Sequence, residues 1–189
     1  MYNRKQVKLE AKQSLHLNFG IALGALVVAG LILAAASYIP CGSLILTGVF
    51  SVGIAIVMLN IVRGAHVEFV DLFKGFNNFG TTCLAGVLVS VFTFLWSLLF
   101  VIPGIIKAYS YSMTYYILAD NPDMSPNDAI TASSQMMDGH KFDLFVLQLS
   151  FLGWHLLGGI TFGLAYIYVA PYIAATKAKF YESIKAEKQ

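Results

Sequence analysis

The sequence predicts an all-α protein: a polytopic transmembrane bundle of about six helices, arranged as three hairpins, each preceded by a cytoplasmic interfacial amphipathic helix. Hydrophobic residues make up 58% of the chain and charged residues only 12%, whereas soluble domains average about 45–50% apolar and about 25% charged residues. The mean hydropathy is correspondingly high, at +0.71. Several apolar segments approach about 20 residues, the length that crosses a hydrocarbon core about 30 Å thick.

The chain length is that of a single integral membrane domain. Within its 189 residues we place the first hairpin at 1–62, the second at 63–118 and the third at 119–189. The formal net charge of +2 gives no indication of a nucleic-acid partner. The predicted topology puts Cys41 and Cys83 on opposite membrane faces, which excludes a disulfide between them.

The first hairpin begins with a basic segment. Val7, Ala11 and Leu15 recur at i, i+4 and i+8, which predicts a short amphipathic helix lying on an anionic membrane face. A solvated basic tail that only sets orientation is the alternative interpretation. Two membrane spans, 19–38 and 44–62, follow.

The first of these spans also carries two small residues at the spacing of a helix-packing motif. Gly20 and Gly24 form a small-xxx-small pair, which in membrane helices often permits the close approach of a second helix.

The second hairpin begins with an amphipathic segment, residues 63–80, which we interpret as an interfacial helix. The third span covers 82–101, with Trp96 as an interfacial anchor, and Pro103-Gly104 reverses the chain. The fourth span, 105–118, is short, so we expect it to be tilted or shielded by neighbours. The apolar residues of the interfacial segment recur at i, i+3, i+4 and i+7: Phe69, Leu72, Phe73 and Phe76.

The third hairpin starts with a helix terminator at 120–123, followed by a capping box that opens a surface helix over 125–137. The fifth span is predicted at 142–157 and the sixth at 164–176. Lys and Arg lie almost entirely in the segments on one side of these spans. By the positive-inside rule, both termini are therefore cytoplasmic.

The third hairpin repeats the second. The segment 94–99 is echoed by 152–157, and the tyrosine pattern of 108–115 is echoed by 165–172. Both copies enter the membrane from the same side, so this is a parallel repeat, unlike the inverted repeats of many secondary transporters.

Six short motifs occur together in the chain: Asp71-Leu72-Phe73-x-Gly75-Phe76, Phe94-Leu95-Trp96-Ser97-Leu98-Leu99, Ile102-Pro103-Gly104-Ile105-Ile106-Lys107-x-x-x-Tyr111-x-Met113, Ile117-Leu118-Ala119-Asp120-Asn121-Pro122, Gly139-His140-Lys141 and Pro171-Tyr172. Their combination resembles a family of bacterial integral membrane proteins, catalogued as domain of unknown function nine-seven-five. The resemblance implies a six-helix, multi-pass protein of the bacterial plasma membrane. It also implies a looser similarity to the membrane domain of glycerophosphodiester phosphodiesterases, and it brings no activity and no catalytic residues.

A polar stripe on the fourth span is the candidate binding site. An ammonium group costs roughly 2.5–3.5 kcal/mol at the centre of a membrane helix, so Lys107 is a functional candidate. The alternative is that Lys107 extends to the outer headgroups. We expect a lipid or substrate groove with two further residues from the fifth span, formed by Lys107, Ser110, Tyr111, Thr114, Trp154 and His155.

An inner group of acidic residues is a weaker candidate for a divalent cation. Two of these acids already have cap and turn roles, so a structural role is favoured and we predict no metal site and no cofactor. The members of the group are Asp120, Asp123, Asp128, Asp138 and His140.

No established catalytic motif is present, and no carboxylate lies within a predicted span. The sequence therefore favours a non-enzymatic protein that binds membrane lipids, including anionic ones, or that binds other membrane proteins or itself. A small permease or exporter subunit is the alternative function, and an intramembrane hydrolase with a Ser/Lys dyad is a second alternative.

Overall fold

The computed structural model describes residues 4–38, 42–99, 101–161 and 163–188, which are helical with short connections. Cys41 lies outside these residues, so the absence of a disulfide stays a prediction. The elements are α1 (Arg4–Leu17), α2 (Phe19–Ala36), α3 (Gly42–Arg63), a 3₁₀ helix (Phe69–Phe76), α4 (Phe79–Leu99), α5 (Val101–Ser110), α6 (Thr114–Asp120), α7 (Pro126–Met136), α8 (Lys141–Leu149), α9 (Leu152–Ile160) and α10 (Tyr166–Lys188).

Four helical stretches of the described chain are long and apolar enough to cross a membrane: 19–36, 42–63, 79–98 and the combined α8–α9 stretch 141–160. The predicted fourth span differs, because it is divided into α5 and α6, of 10 and 7 residues. The predicted sixth span forms the first half of α10, a 23-residue helix that is not among the four candidates.

Helix α3 lies at the centre of the bundle. It is 61% buried over its apolar window, against 17–22% for the other three candidate spans. Glycines permit the close packing around it, since a Cβ at Gly53 would overlap the Leu72 carbonyl oxygen and Gly48 faces Gly86 of α4. A Cβ at Gly20, by contrast, would meet no described atom within 4 Å. A Cβ at Gly24, the other member of the predicted pair, would lie 3.5 Å from the Phe69 ring. The tightest backbone packing is therefore at the glycines of α3 and not at the Gly20/Gly24 pair.

Helix α1 is amphipathic, as predicted. Its stripe Val7, Ala11 and Leu15 is 6%, 0% and 2% exposed, and it packs against α10. A salt bridge of 3.2 Å between Glu10 and Lys179 joins the same two helices. The alternative of a solvated tail is therefore wrong, because α10 covers the apolar face of α1, while the position of α1 at a membrane face stays a prediction.

The predicted interfacial segment after α3 is ordered over 69–76 as a 3₁₀ helix. Leu72 is fully buried against α3, and the ring of Phe76 packs edge-on against Phe50 with centroids 5.5 Å apart. Phe69 and Phe73 remain about two-fifths exposed. The segment is thus an amphipathic wedge against the central helix.

Two turn predictions have different outcomes. Helix α4 ends at Leu99 and α5 begins at Val101, so Pro103 lies in the first turn of α5 and does not itself form the connection, and at that position the missing N–H costs nothing. The later boundary is confirmed: α6 ends at Asp120, and the Ser125 side chain accepts a hydrogen bond from the Asp128 backbone N–H at the start of α7.

Candidate functional site

The break between α5 and α6 is held by a serine from another helix. The Ser133 hydroxyl of α7 donates a hydrogen bond of 2.7 Å to the Ser110 carbonyl oxygen. It also accepts a hydrogen bond of 3.2 Å from the Met113 backbone N–H. Ser133 is fully buried, so it satisfies backbone groups on both sides of the break where no water reaches them. The surface helix α7 thereby fixes the position of the broken helix.

A cavity of about 580 Å³ lies beside this break, between α3, α4, α5–α6 and α10. One face of α10 forms its long wall, with Tyr166, Ala170, Ala174 and Lys177 at helical spacing. The residues Tyr166 and Lys177 are separated by about 16 Å along the helix, at 1.5 Å per residue. The two alanines between them leave the space that larger side chains would fill.

Unpaired polar side chains converge on this cavity from three elements. In the described part of the chain, the hydroxyls of Tyr111, Tyr115 and Tyr116 make no hydrogen bond to protein, and neither does the Lys177 ammonium. These four groups are open to the cavity, since among the described residues the fully buried side-chain polar atom without a partner is the Thr114 hydroxyl. A few polar groups facing a mainly apolar pocket are typical of a small-molecule site, so a ligand that supplies polar atoms fits this cavity.

Lys177 is the one charged side chain among the described residues that line the cavity. Burial lowers the pKa of its ammonium group, and no described carboxylate lies within 4 Å of it. Its neighbour Lys179 is paired with Glu10. An ammonium without a counter-ion, surrounded by apolar walls, attracts a negatively charged group strongly.

Lys177 is not among the site residues predicted from the sequence, because a Lys or Arg just beyond a span normally sets topology. The usable signal was the small-residue face before it: Ala170 and Ala174 lie four residues apart, and Lys177 follows on the same side of the helix.

The predicted groove residues have different surroundings in the structure. The Lys107 Nζ lies 4.9 Å from the centre of the Trp96 ring, while Tyr111 lines the cavity. The Ser110 hydroxyl donates to the Ile106 carbonyl oxygen. The Thr114 hydroxyl is buried without a partner among the described residues.

The two groove residues predicted on the fifth span lie on α9. The His155 Nδ1 atom is 2.9 Å from the Tyr166 hydroxyl, and the Trp154 ring packs near Tyr168. Tyr166 lines the cavity, so His155 reaches the cavity wall through it. In the described part of the chain, Lys107 makes no hydrogen bond or ring contact with this pair.

An ionic network joins the C-terminal ends of α3 and α6 to α10. Arg63 of α3 lies 2.8 Å from Asp120 of α6 and 2.6 Å from Glu182 of α10. Lys185 also pairs with Asp120, and the Tyr181 hydroxyl donates a hydrogen bond of 3.0 Å to it. Two cations and two carboxylates therefore neutralise one another here.

The inner acidic residues do not form a cation site within the described chain, where no three His, Cys, Asp or Glu side chains converge. Asp120 is occupied by Arg63 and Lys185. The Asp128 carboxylate accepts a hydrogen bond from Ser125, and Asp138 lies 3.7 Å from Lys141. The contact of Asp128 is the cap expected from the sequence, whereas the ion pairs of Asp120 and Asp138 are additional roles.

The exposed surface and the helix lengths define the class of protein. Large apolar side chains are exposed along α4, α5 and α9, among them Leu98, Ile102 and Ile160, each more than 70% exposed. Water does not tolerate a continuous apolar surface of this kind, whereas lipid does. Together with four helices of spanning length, these faces identify an α-helical membrane protein.

The chain matches the family model described as protein of unknown function (DUF975) in two stretches, residues 1–110 and 98–188. Because these stretches span almost the entire chain, the protein belongs to this family, and the resemblance seen in the sequence motifs is confirmed. No curated protein and no solved structure matches the chain significantly. The looser similarity to the membrane domain of glycerophosphodiester phosphodiesterases therefore stays a prediction.

Proposed function

We propose that this protein is a non-enzymatic integral membrane protein that binds a lipid in the cavity beside the α5–α6 break. The supporting observation is a cavity of about 580 Å³ whose mainly apolar walls carry unpaired tyrosine hydroxyls. Pockets of about 300–1,000 Å³ with apolar walls and a few placed polar groups are typical of small-molecule sites. A lipid chain covers the apolar wall, and polar atoms of the lipid pair with the hydroxyls.

Filling the cavity tests this proposal. Ala170→Phe places an aromatic ring in the space between Tyr166 and Ala174, so the purified variant should lose the lipid that co-purifies with the wild type. Ala34→Phe is the matched control, because Ala34 is exposed on α2. Native mass spectrometry of the proteins released from the same detergent measures the bound lipid. Equal lipid retention by wild type and Ala170→Phe contradicts the proposal.

The proposed topology has six crossings in the bacterial plasma membrane and cytoplasmic termini. In this arrangement α5–α6 together form the fourth crossing and the first half of α10 forms the sixth, each shielded by packing against its neighbours. The contact between Glu10 and Lys179 supports it, because it brings the N-terminal helix beside the C-terminal helix. A fluorescent protein fused to either end should fluoresce and alkaline phosphatase should be inactive there; active phosphatase at either end contradicts this topology.

The groove predicted around Lys107 is a second part of the proposal, a lipid contact on the outer side of α5. Its support is the position of the Lys107 ammonium over the Trp96 ring, an arrangement in which cation and aromatic ring both face a lipid headgroup region.

A small permease or exporter subunit is the second candidate function. It is favoured by the distribution of polar groups along the full length of the cavity, from Tyr166 at one end to Lys177 at the other. Release of a trapped anionic dye from proteoliposomes, lost in Ala170→Phe and retained in Ala34→Phe, would support this candidate. Dye retention in every case would contradict it.

A further inference from the structure

We infer that Lys177 is the receptor for an oxyanion carried on a hydrocarbon chain, so that the lipid in the cavity is a negatively charged amphiphile held by its head at this lysine. This inference rests on the proposed function, since it assigns the headgroup end of the same cavity.

The geometry of the cavity gives the ligand a direction. Lys177 is at one end of the α10 wall, and the residues behind it on the same face, Ala174 and Ala170, are apolar and small. A chain running along this wall lies against methyl groups for most of its length and ends at the ammonium. The ligand therefore has one charged end and a long apolar remainder.

The chemistry at Lys177 gives the sign of the charge. No described carboxylate lines the cavity, and the nearby acids are already used, Glu10 by Lys179 and Glu182 by Arg63. Removing an ammonium from water without a counter-ion is unfavourable. A carboxylate or phosphate group supplies the missing charge and accepts up to three hydrogen bonds from the lysine.

The tyrosine hydroxyls extend the same site. Tyr115 and Tyr116 line the cavity with Lys177 and have no hydrogen-bond partner in the described chain. A phenolic O–H can donate a hydrogen bond to an oxyanion, although a weaker one than an ammonium gives. Lys177 and these two hydroxyls therefore supply one charged and two neutral donors on a cavity whose described lining has no carboxylate.

The experiment compares ligands that share a chain and differ in the head. Delipidated protein in a non-ionic detergent is titrated with palmitate, with hexadecanol and with dodecyl phosphate, and binding is read by native mass spectrometry. Wild type should bind palmitate and dodecyl phosphate at least about tenfold more tightly than hexadecanol, as expected for a charge-assisted hydrogen bond. Phosphatidylglycerol and inorganic phosphate, added separately, distinguish a membrane phospholipid and a free anion from a single-chain lipid.

Three variants separate the role of Lys177 from general effects. Lys177→Met should bind all three single-chain ligands alike, whereas Lys177→Arg should keep the preference for the anions. Lys12→Met, at an exposed position of α1 outside the cavity lining, should behave as wild type. Thermal unfolding without ligand checks the fold, and Lys177→Met should be at least as stable as wild type because it removes an unpaired buried charge.

Different binding results would contradict the role of Lys177 and the proposed lipid site. If wild type binds hexadecanol as tightly as palmitate, or if Lys177→Met keeps the full preference, the assignment of Lys177 is wrong while the cavity remains a lipid site. If only inorganic phosphate binds, the ligand has no chain and the inference is also wrong. If none of the chain-bearing ligands binds wild type, the proposed function itself fails.

Discussion

The Ser133 hydroxyl donates a hydrogen bond to the Ser110 carbonyl oxygen over 2.7 Å, although the two residues are 23 positions apart in the chain. The same hydroxyl accepts from Met113 across the α5–α6 break. One side chain from α7 thus replaces helical hydrogen bonds that the break removes.

Ser133→Ala should lower the free energy of unfolding by about 1–3 kcal/mol, because it leaves buried backbone groups without partners. Ser134→Ala is the control, since the neighbouring hydroxyl has no such contact in the described chain. Chemical denaturation in a fixed detergent measures both variants. Equal stability of the two would show that the break is held by other interactions.

Gly53→Ala should destabilise the bundle by roughly 1–3 kcal/mol, the typical cost of overpacking. The new methyl group meets the Leu72 backbone, which cannot rotate away as a side chain can. Gly20→Ala has open space around it and should be neutral or slightly stabilising. A shift in the thermal midpoint for the second substitution and none for the first contradicts the central packing of α3.

Asp120 should make stability depend on pH. Burial alone would raise the pKa of this carboxyl group, but hydrogen bonds from Arg63 and Lys185 hold it below its ordinary value of 3.8. The folded protein therefore binds the proton less tightly than the unfolded chain, and the stabilisation is present at neutral pH and lost as pH falls below about 5 through the lowered pKa.

Asp120→Asn tests this dependence. At pH 7 the variant should be less stable than wild type by about 1–2 kcal/mol, since Arg63 and Lys185 are partly exposed and their charges partly screened. The difference should shrink on acidification. Asp138→Asn, which alters an exposed pair with 3.7 Å separation, should leave the unfolding curve unchanged at each pH. If the difference in stability between Asp120→Asn and wild type were the same at every pH, the ionised Asp120 carboxylate would not be the source of the pH dependence.

Lys107→Leu should leave folding intact and reduce the amount of anionic lipid retained in native mass spectrometry, if the outer contact exists as proposed. Lys107→Arg keeps the charge over the Trp96 ring and should retain that lipid. Unchanged retention by Lys107→Leu would mean that this lysine only extends to the headgroups. The cavity proposal is independent of this result, because Lys107 is not among its lining residues.

Features that depend only on residues close together in the sequence could be predicted from residue spacing. The stripe of Val7, Ala11 and Leu15 and the cap at Ser125 both follow from helical spacing and side-chain hydrogen bonding. The break at 111–113 did not, because it depends on Ser133, which reaches it only in the folded bundle. A periodic pattern cannot show such a tertiary contact.

The candidate site was likewise predicted only in part from the sequence. Tyr111 was predicted from the polar stripe of the fourth span, and it lines the cavity. Lys177 was missed because a lysine just beyond an apolar run is ordinarily a topology signal. Its unpaired state is a property of four packed elements, and no single segment of the sequence carries it.

The packing of α1 against α10 also affects the order in which the protein is built during synthesis. The stripe of Val7, Ala11 and Leu15 is synthesised before its cover, residues 166–188. Translation proceeds at about 5–20 residues per second, so this apolar face exists for several seconds before α10 can dock on it. During that interval the stripe has the amphipathic pattern of an interfacial helix.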